Sequence, residues 1–173
     1  YFSHKPSLNL FSDLNKFCNL IKLEKIPTKI SNKKFEFVEH ICDLMRLEMI
    51  YNNGGIYLDI DTVCVNSFDS LLNNQCVMGL EYGRHQTEET PKLIGLCNAV
   101  LMGQKQSKFL EKWIEYFYDD YRPDWNYNCV QMPYNLSKLY RLDVTIQPQN
   151  SFFKYSWDSD GRKSLFLKNS DVE

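Results

Sequence analysis

Long apolar runs are missing from this sequence. None approaches the roughly 20 residues that span a bilayer, so no membrane segment is expected within these residues. Basic runs are missing too. Lys and Arg number 20 against 22 Asp and Glu, a net charge of −2, and this excludes the electrostatic footprint of a nucleic-acid binder. Six cysteines (Cys18, Cys42, Cys64, Cys76, Cys97 and Cys129) form no C-x-x-C pair, which argues against a zinc knuckle or a redox motif. In apolar contexts such as LCNAVLM they read as buried thiols. Their even count permits disulfides in a secretory lumen without deciding for them. No signal peptide is recognisable, although a first residue of Tyr1 rather than Met leaves room for a leader or anchor upstream. Internal repeats and linkers are absent as well.

Aromatic residues, by contrast, are plentiful: 11 Tyr, 11 Phe and 3 Trp make up 14% of the chain. Sugar-binding clefts use such rings, and so do cores. With 173 residues, 43% of them hydrophobic and 24% charged, the chain suits one core and a single domain over 1–173.

Apolar periodicity predicts a helix over 8–26, with Leu10, Leu14, Phe17 and Leu20 on one stripe. A second is expected over 35–53, with Val38, Ile41, Leu44, Met45 and Met49 inward and Gly54 at its left-handed stop. IYLDI (56–60) follows as a strand. Ser67 caps a short helical turn over 67–72. Strands are predicted at 76–82, 97–103 and within 142–148, and helices at 107–121 and 130–140. Polar loops cover 83–93 and 122–128, and the tail from Ser151 on reads as loosely ordered. This alternation predicts an α/β, mixed-sheet domain.

The stretch YNNGGIYLDIDTV (51–63) carries the chemistry. Side chains alternate along a strand, so Tyr57, Asp59 and Asp61 share one face, while Ile56, Leu58 and Ile60 are expected to pack the other into the core. Two neighbouring carboxylates repel unless a cation or a cationic side chain lies between them. Such hard oxygens suit Mg²⁺ or Mn²⁺, which would in turn hold phosphate oxygens. A bare D-x-D is short, however, and a solvated strand end explains it equally well. In the preceding helix Asp43 and Arg46 share a face, with His40 one turn earlier. Taken alone, that pair reads as a surface ion pair worth about 0.2–0.5 kcal/mol, and His40 as a partly exposed helix histidine.

The run HICDLMRLEMIYNNGGIYLDIDTVCVNSFDSLL resembles the D-x-D sugar-binding region of the retaining glycosyltransferases of family thirty-two. That family includes α1,4-galactosyl-, α1,4-N-acetylglucosaminyl- and yeast α1,6-mannosyltransferases, and is related to the glucosylating clostridial toxins. Its pattern is S-D-x-x-R followed by Y-x-x-G-G-x-Y-x-D-x-D. Asp43, Arg46, Tyr51, Gly54, Gly55, Tyr57, Asp59 and Asp61 match at its spacing, with Cys42 in place of the usual Ser. Weaker similarity in CNAVLMGQKQSKFLEKWIEYF, DWNYNCVQMPYNLSKLY and SFFKYSW extends it over about 36–157. The resemblance implies a GT-A fold, a mixed sheet flanked by helices, cut at one or both ends. It implies a UDP- or GDP-sugar donor, a glycan, glycolipid or glycoprotein acceptor, and Mn²⁺ or Mg²⁺. By carry-over, Asp61 binds the metal directly and Asp59 meets the ribose or the metal through water. Asp43 and Arg46 hold donor-sugar hydroxyls, and Asn98 and Asn128 lie on the sugar or acceptor side. Tyr51 and Tyr57 are assigned to packing. Family location implies the Golgi lumen, or the cytoplasm for a bacterial or viral chain.

Two departures stand out. The first nucleotide-binding strand of a GT-A fold should precede residue 8, and the family's metal-completing histidine lies near the C-terminus, whereas the histidines here are His4, His40 and His85. Two other readings compete. YLDIDTV fits the D-x-D-x-T/V box of haloacid-dehalogenase-like phosphatases, with Asp59 as nucleophile, Asp61 as acid and base, and Lys92 and Asp119-Asp120 as the later partners. The second is a non-catalytic sugar- or nucleotide-binding module on the same fold.

Overall fold

A computed structural model describes residues 13–14, 16–23, 25–83, 92–155 and 159–166. It is a mixed α/β arrangement around one four-stranded sheet. A two-stranded hairpin, β1 (Lys29–Ile30) and β2 (Lys33–Lys34), leads into helix α1 (Val38–Asn53) and strand β3 (Gly55–Leu58). A 3₁₀ turn (Asp69–Leu71), strands β4 (Cys76–Gly83) and β5 (Lys92–Gly103), and helix α2 (Lys108–Asp119) follow. Next come a π turn (Tyr127–Gln131), helix α3 (Met132–Leu139), strand β6 (Thr145–Gln147), and helices α4 (Gln149–Phe152) and α5 (Ser159–Phe166).

The sheet order is β3-β5-β4-β6. β5 pairs antiparallel with both neighbours, and β6 runs parallel to β4. On one face the main core gathers Leu44, Leu47 and Ile50 of α1, Phe109, Leu110, Trp113 and Phe117 of α2, and Met78, Leu96 and Leu101 of the sheet. Spacing by three and four along α2 accounts for its inward stripe. The other face is thinner: Val77, Val100 and Met102 lie under Leu58, Phe68, Leu71, Phe152 and Phe153.

Two local features aim the site. Gly54 ends α1 at φ 70°, and its N–H bonds to the Ile50 carbonyl at 2.7 Å. A Cβ there would meet the Lys105 nitrogen at 2.9 Å, so both conformation and space call for glycine. β5 also carries a bulge. Val77 faces Met102 while Gly79 faces Cys97, so β5 spends several more residues than β4 over the same span. The surplus falls within Asn98–Leu101, as bulges beside sites re-aim a side chain.

Several expectations need correction. Within 8–26 only Asp13 and Leu14 are helical among the described residues, and Phe17 is exposed. Leu14 is exposed as well, and residues 16–23 are turn and extended chain rather than helix. Its Leu10 lies outside the described residues. β3 stops at Leu58 and Ile60 projects fully into solvent, because Ile60 and Asp61 turn away after the Asp59 N–H bonds to the Ala99 carbonyl at 2.9 Å. The tail carries α4 and α5 rather than loose chain. Residues 84–91 of the predicted polar loop, His85 included, and His4 lie outside the described residues. Among the described residues no helix is long and apolar enough to cross a membrane.

Candidate functional site

Asp43 and Arg46 occupy successive turns of α1 on its inward side. They are 5% and 9% exposed, so they form a buried pair rather than the surface pair expected of the motif alone. Such burial is costly unless every lone pair and proton finds a partner, and here the partners are present. Arg46 Nη2 lies 3.4 Å from Asp43 Oδ1. Arg46 Nη1 donates to Asp59 Oδ1 at 3.0 Å and to the Asn98 carbonyl at 3.1 Å. It also lies 3.3 Å from Asn98 Oδ1, and Nε donates to the Cys42 carbonyl at 3.4 Å. Asn98 Nδ2 in turn donates to Asp43 Oδ1 at 2.8 Å. The bulge of β5 thus brings both the backbone and the side chain of Asn98 to one guanidinium.

Tyr57 closes the cluster from β3. Its ring lies 4.4 Å beneath the Arg46 guanidinium carbon, and its hydroxyl donates to Asp59 Oδ1 at 2.7 Å. Tyr57 therefore does more than pack. Both of these bonds fall on Oδ1, so Asp59 is held by one oxygen with the other uncommitted by them. About a third of its side chain is exposed. Asp61, two residues on, stands in an exposed turn.

Burial pushes the Asp43 carboxyl above the ordinary carboxylate range, while Arg46, Asn98 and His40 pull it back. The Cys129 thiol, which donates to the Trp125 carbonyl at 3.4 Å, neighbours Asp43 and feels its charge. Burial raises the thiols of Cys97 and Cys129 well above the usual range, which favours their neutral form. Burial also raises the Tyr57 hydroxyl, which keeps it a donor.

His40 is buried, contrary to its expected partial exposure. Its Nδ1 lies 2.9 Å from the Tyr121 hydroxyl, and Nε2 has no hydrogen-bond partner among the described residues. Asn98 joins the cluster, but Asn128 does not. Its amide clamps the Arg122 backbone, receiving the N–H at 3.0 Å and donating to the carbonyl. Its own carbonyl accepts the Trp113 indole N–H at 2.9 Å. Tyr51 packs against the main core. Sequence reasoning passed over Cys129 and the donor role of Tyr57. The i, i+2 placement of Tyr57 and Asp59 was the available signal for the second, and nothing local signalled the first.

The phosphatase arrangement is not assembled. Lys92 sits at the far end of β5 from the residues that pair with β3. Asp120 is engaged by Arg122 and the Tyr127 hydroxyl, and β3 has only an antiparallel neighbour among the described residues. Among those residues no three His, Cys, Asp or Glu side chains converge as a metal cluster. The donor set still fits a hard divalent ion. Asp59 has an oxygen outside the Arg46 and Tyr57 bonds and Asp61 is open, and Mg²⁺-type sites commonly take one or two carboxylates plus phosphate oxygens.

Residues 4–78 match the family described as glycosyltransferase sugar-binding region containing DXD motif. The matched segment holds Asp43, Arg46, Tyr57, Asp59 and Asp61, and it bears out the resemblance drawn from them. Glucan organizing enzyme 1 of Cryptococcus neoformans var. grubii serotype A is 27% identical over 169 residues, covering 98% of this chain and 46% of that protein. The chain thus spans less than half the length of this relative.

Proposed function

From the premise of a DXD sugar-binding region at 4–78, we propose that this chain is the donor-binding part of a metal-dependent retaining glycosyltransferase. It moves a hexose from a UDP- or GDP-sugar to a hydroxyl of a glycan, glycolipid or glycoprotein. One observation carries the reading: Arg46 gathers Asp43, Asn98 and Asp59 into a fixed cluster, with Asp59 and Asp61 at its open edge.

Asp61 and Asp59 would hold Mn²⁺ or Mg²⁺. When bound, the ion neutralises charge on the diphosphate leaving group. Arg46 fixes one oxygen of Asp59 and so sets the direction of the other. It also lies between the buried Asp43 and the half-buried Asp59 and offsets their mutual repulsion. Asp43 and Asn98 form the floor on which donor-sugar hydroxyls are oriented, and Tyr57 holds Asp59 from below. Preorganised charges of this kind stabilise a developing charge with little reorganisation. Asn128 takes no part, since its amide closes a turn. We place the reaction in the Golgi lumen, which co-fractionation with Golgi membranes tests.

The experiment is calorimetric titration with UDP- and GDP-sugars, with and without Mn²⁺, followed by a donor-hydrolysis assay. Metal-dependent binding and turnover, both lost in Asp61→Ala, are the expected result. Binding without turnover would make the chain a sugar-nucleotide module. Phosphomonoester hydrolysis lost in Asp59→Asn would overturn the reading.

A further inference from the structure

Two aromatic rings beside the donor cluster are left unexplained by it. Trp125 is 57% exposed and Phe37 36% exposed, yet they contact each other edge-to-face, with centroids 5.8 Å apart and planes at 81°. The loop presenting Trp125 is held firmly. Asp124 Oδ1 accepts the N–H groups of Asn126 and Tyr127 at 3.0 and 2.9 Å. Asn128 clamps both backbone groups of Arg122, and the Arg122 guanidinium lies 3.9 Å over the Tyr127 ring.

Two routes tie this pair to the donor cluster. Phe37 packs at 5.2 Å against His40, one helical turn before Asp43. The Trp125 carbonyl accepts the Cys129 thiol at 3.4 Å, and Cys129 neighbours Asp43, whose charge acts on that thiol. The patch is therefore continuous with the matched sugar-binding segment, which contains Phe37. Exposed Glu36, Glu39 and Asp124 flank the rings in sequence against Lys33 and Lys34, and Lys33 is held by the Tyr121 carbonyl and Arg122 by Asp120. Those carboxylates disfavour an anionic occupant such as a nucleotide, a phosphopeptide or an acidic lipid surface. An uncharged polyol with one apolar C–H face suits the site.

We propose that Trp125 and Phe37 form the acceptor subsite, a platform on which a pyranose ring of a neutral glycan stacks. It rests on the donor reading above for its role in transfer, though not for its binding. Aromatic rings offer a large apolar area at little entropic cost, and these two are set in a fixed edge-to-face geometry. Trp125 and Phe37 are specificity-determining residues here, and neither touches the metal or the diphosphate.

The test is calorimetric titration of the whole chain with laminaritetraose, maltotetraose and mannotetraose. At least one should bind, roughly tenfold more weakly in Trp125→Ala, with Trp125→Phe retaining part of the affinity and Phe37→Ala weakening it independently. Circular dichroism confirms that each variant folds. Donor binding should be unchanged in all three variants, and oligosaccharide binding unchanged in Asp61→Ala. No binding of any of the three sugars, or equal binding by Trp125→Ala, overturns the proposal. So does a Trp125→Ala variant whose only change is loss of self-association in sedimentation, since the face would then be a contact between copies. Failure of donor binding with Trp125-dependent sugar binding intact sinks the transferase reading and leaves the platform standing.

Discussion

Asp43 and Asp61 belong to one proposed donor site, yet their surroundings are opposite. Asp43 lies on the inner side of α1, almost fully buried, with Arg46 and Asn98 on its carboxylate. Asp61 stands in a solvated turn beyond the last paired residue of β3. The buried half is part of the fold's own support, and its geometry is paid for in desolvation. The exposed half is free of that burden and so is free to move toward a ligand. Function is thereby divided between a rigid floor and an adaptable rim.

The largest expected effect comes from Arg46→Ala. It leaves Asp43 buried without its cation and releases Asp59, so it should destabilise the chain by about 3–5 kcal/mol, read as a lowered urea midpoint. Loss of donor binding without loss of stability would show that the floor does not support the fold. A smaller effect is expected in the pH dependence. Asp43 is raised in the folded state, mainly by burial, so folding retains a proton that the unfolded chain releases. Its contribution is therefore most favourable below the ordinary Asp value and declines as pH rises through that value toward the folded one. Asp43→Asn should flatten this decline in urea midpoints measured upward from about pH 4. The smallest effect on stability belongs to Asp61→Ala, within about ±0.5 kcal/mol, although metal-dependent donor binding is lost. A large drop in its midpoint would erase the distinction between floor and rim.

Much of the frame was legible from periodicity. α1, its stop at Gly54, β4, α2 and a strand at β6 all follow from apolar spacing and turn chemistry, because each is a local signal. What stayed hidden depends on partners distant in sequence. The 8–26 stripe has helical spacing, yet its Leu14 and Phe17 lie exposed. His40 is buried because Tyr121, 81 residues later, reaches it. The bulge that delivers Asn98 appears only when β5 is paired with β4. Asp43, Arg46 and Asp59 were readable as a motif, whereas the way one oxygen of Asp59 is held by both Arg46 and Tyr57 needed coordinates.

The β5 bulge also bears on how the site is made. Arg46 and Asp59 are 13 residues apart, while Asn98 is 52 from Arg46 and 55 from Asp43. Closing the first contact needs only a short loop, and the second must wait for β5 to dock, since longer loops cost more entropy and form later. The helix–strand half of the cluster can then arise early as a local unit, with two carboxylates sharing one arginine. Asn98 arrives last and locks it. A donor that requires the locked form would act as a reporter of completed folding and would hold the last strand in place by mass action.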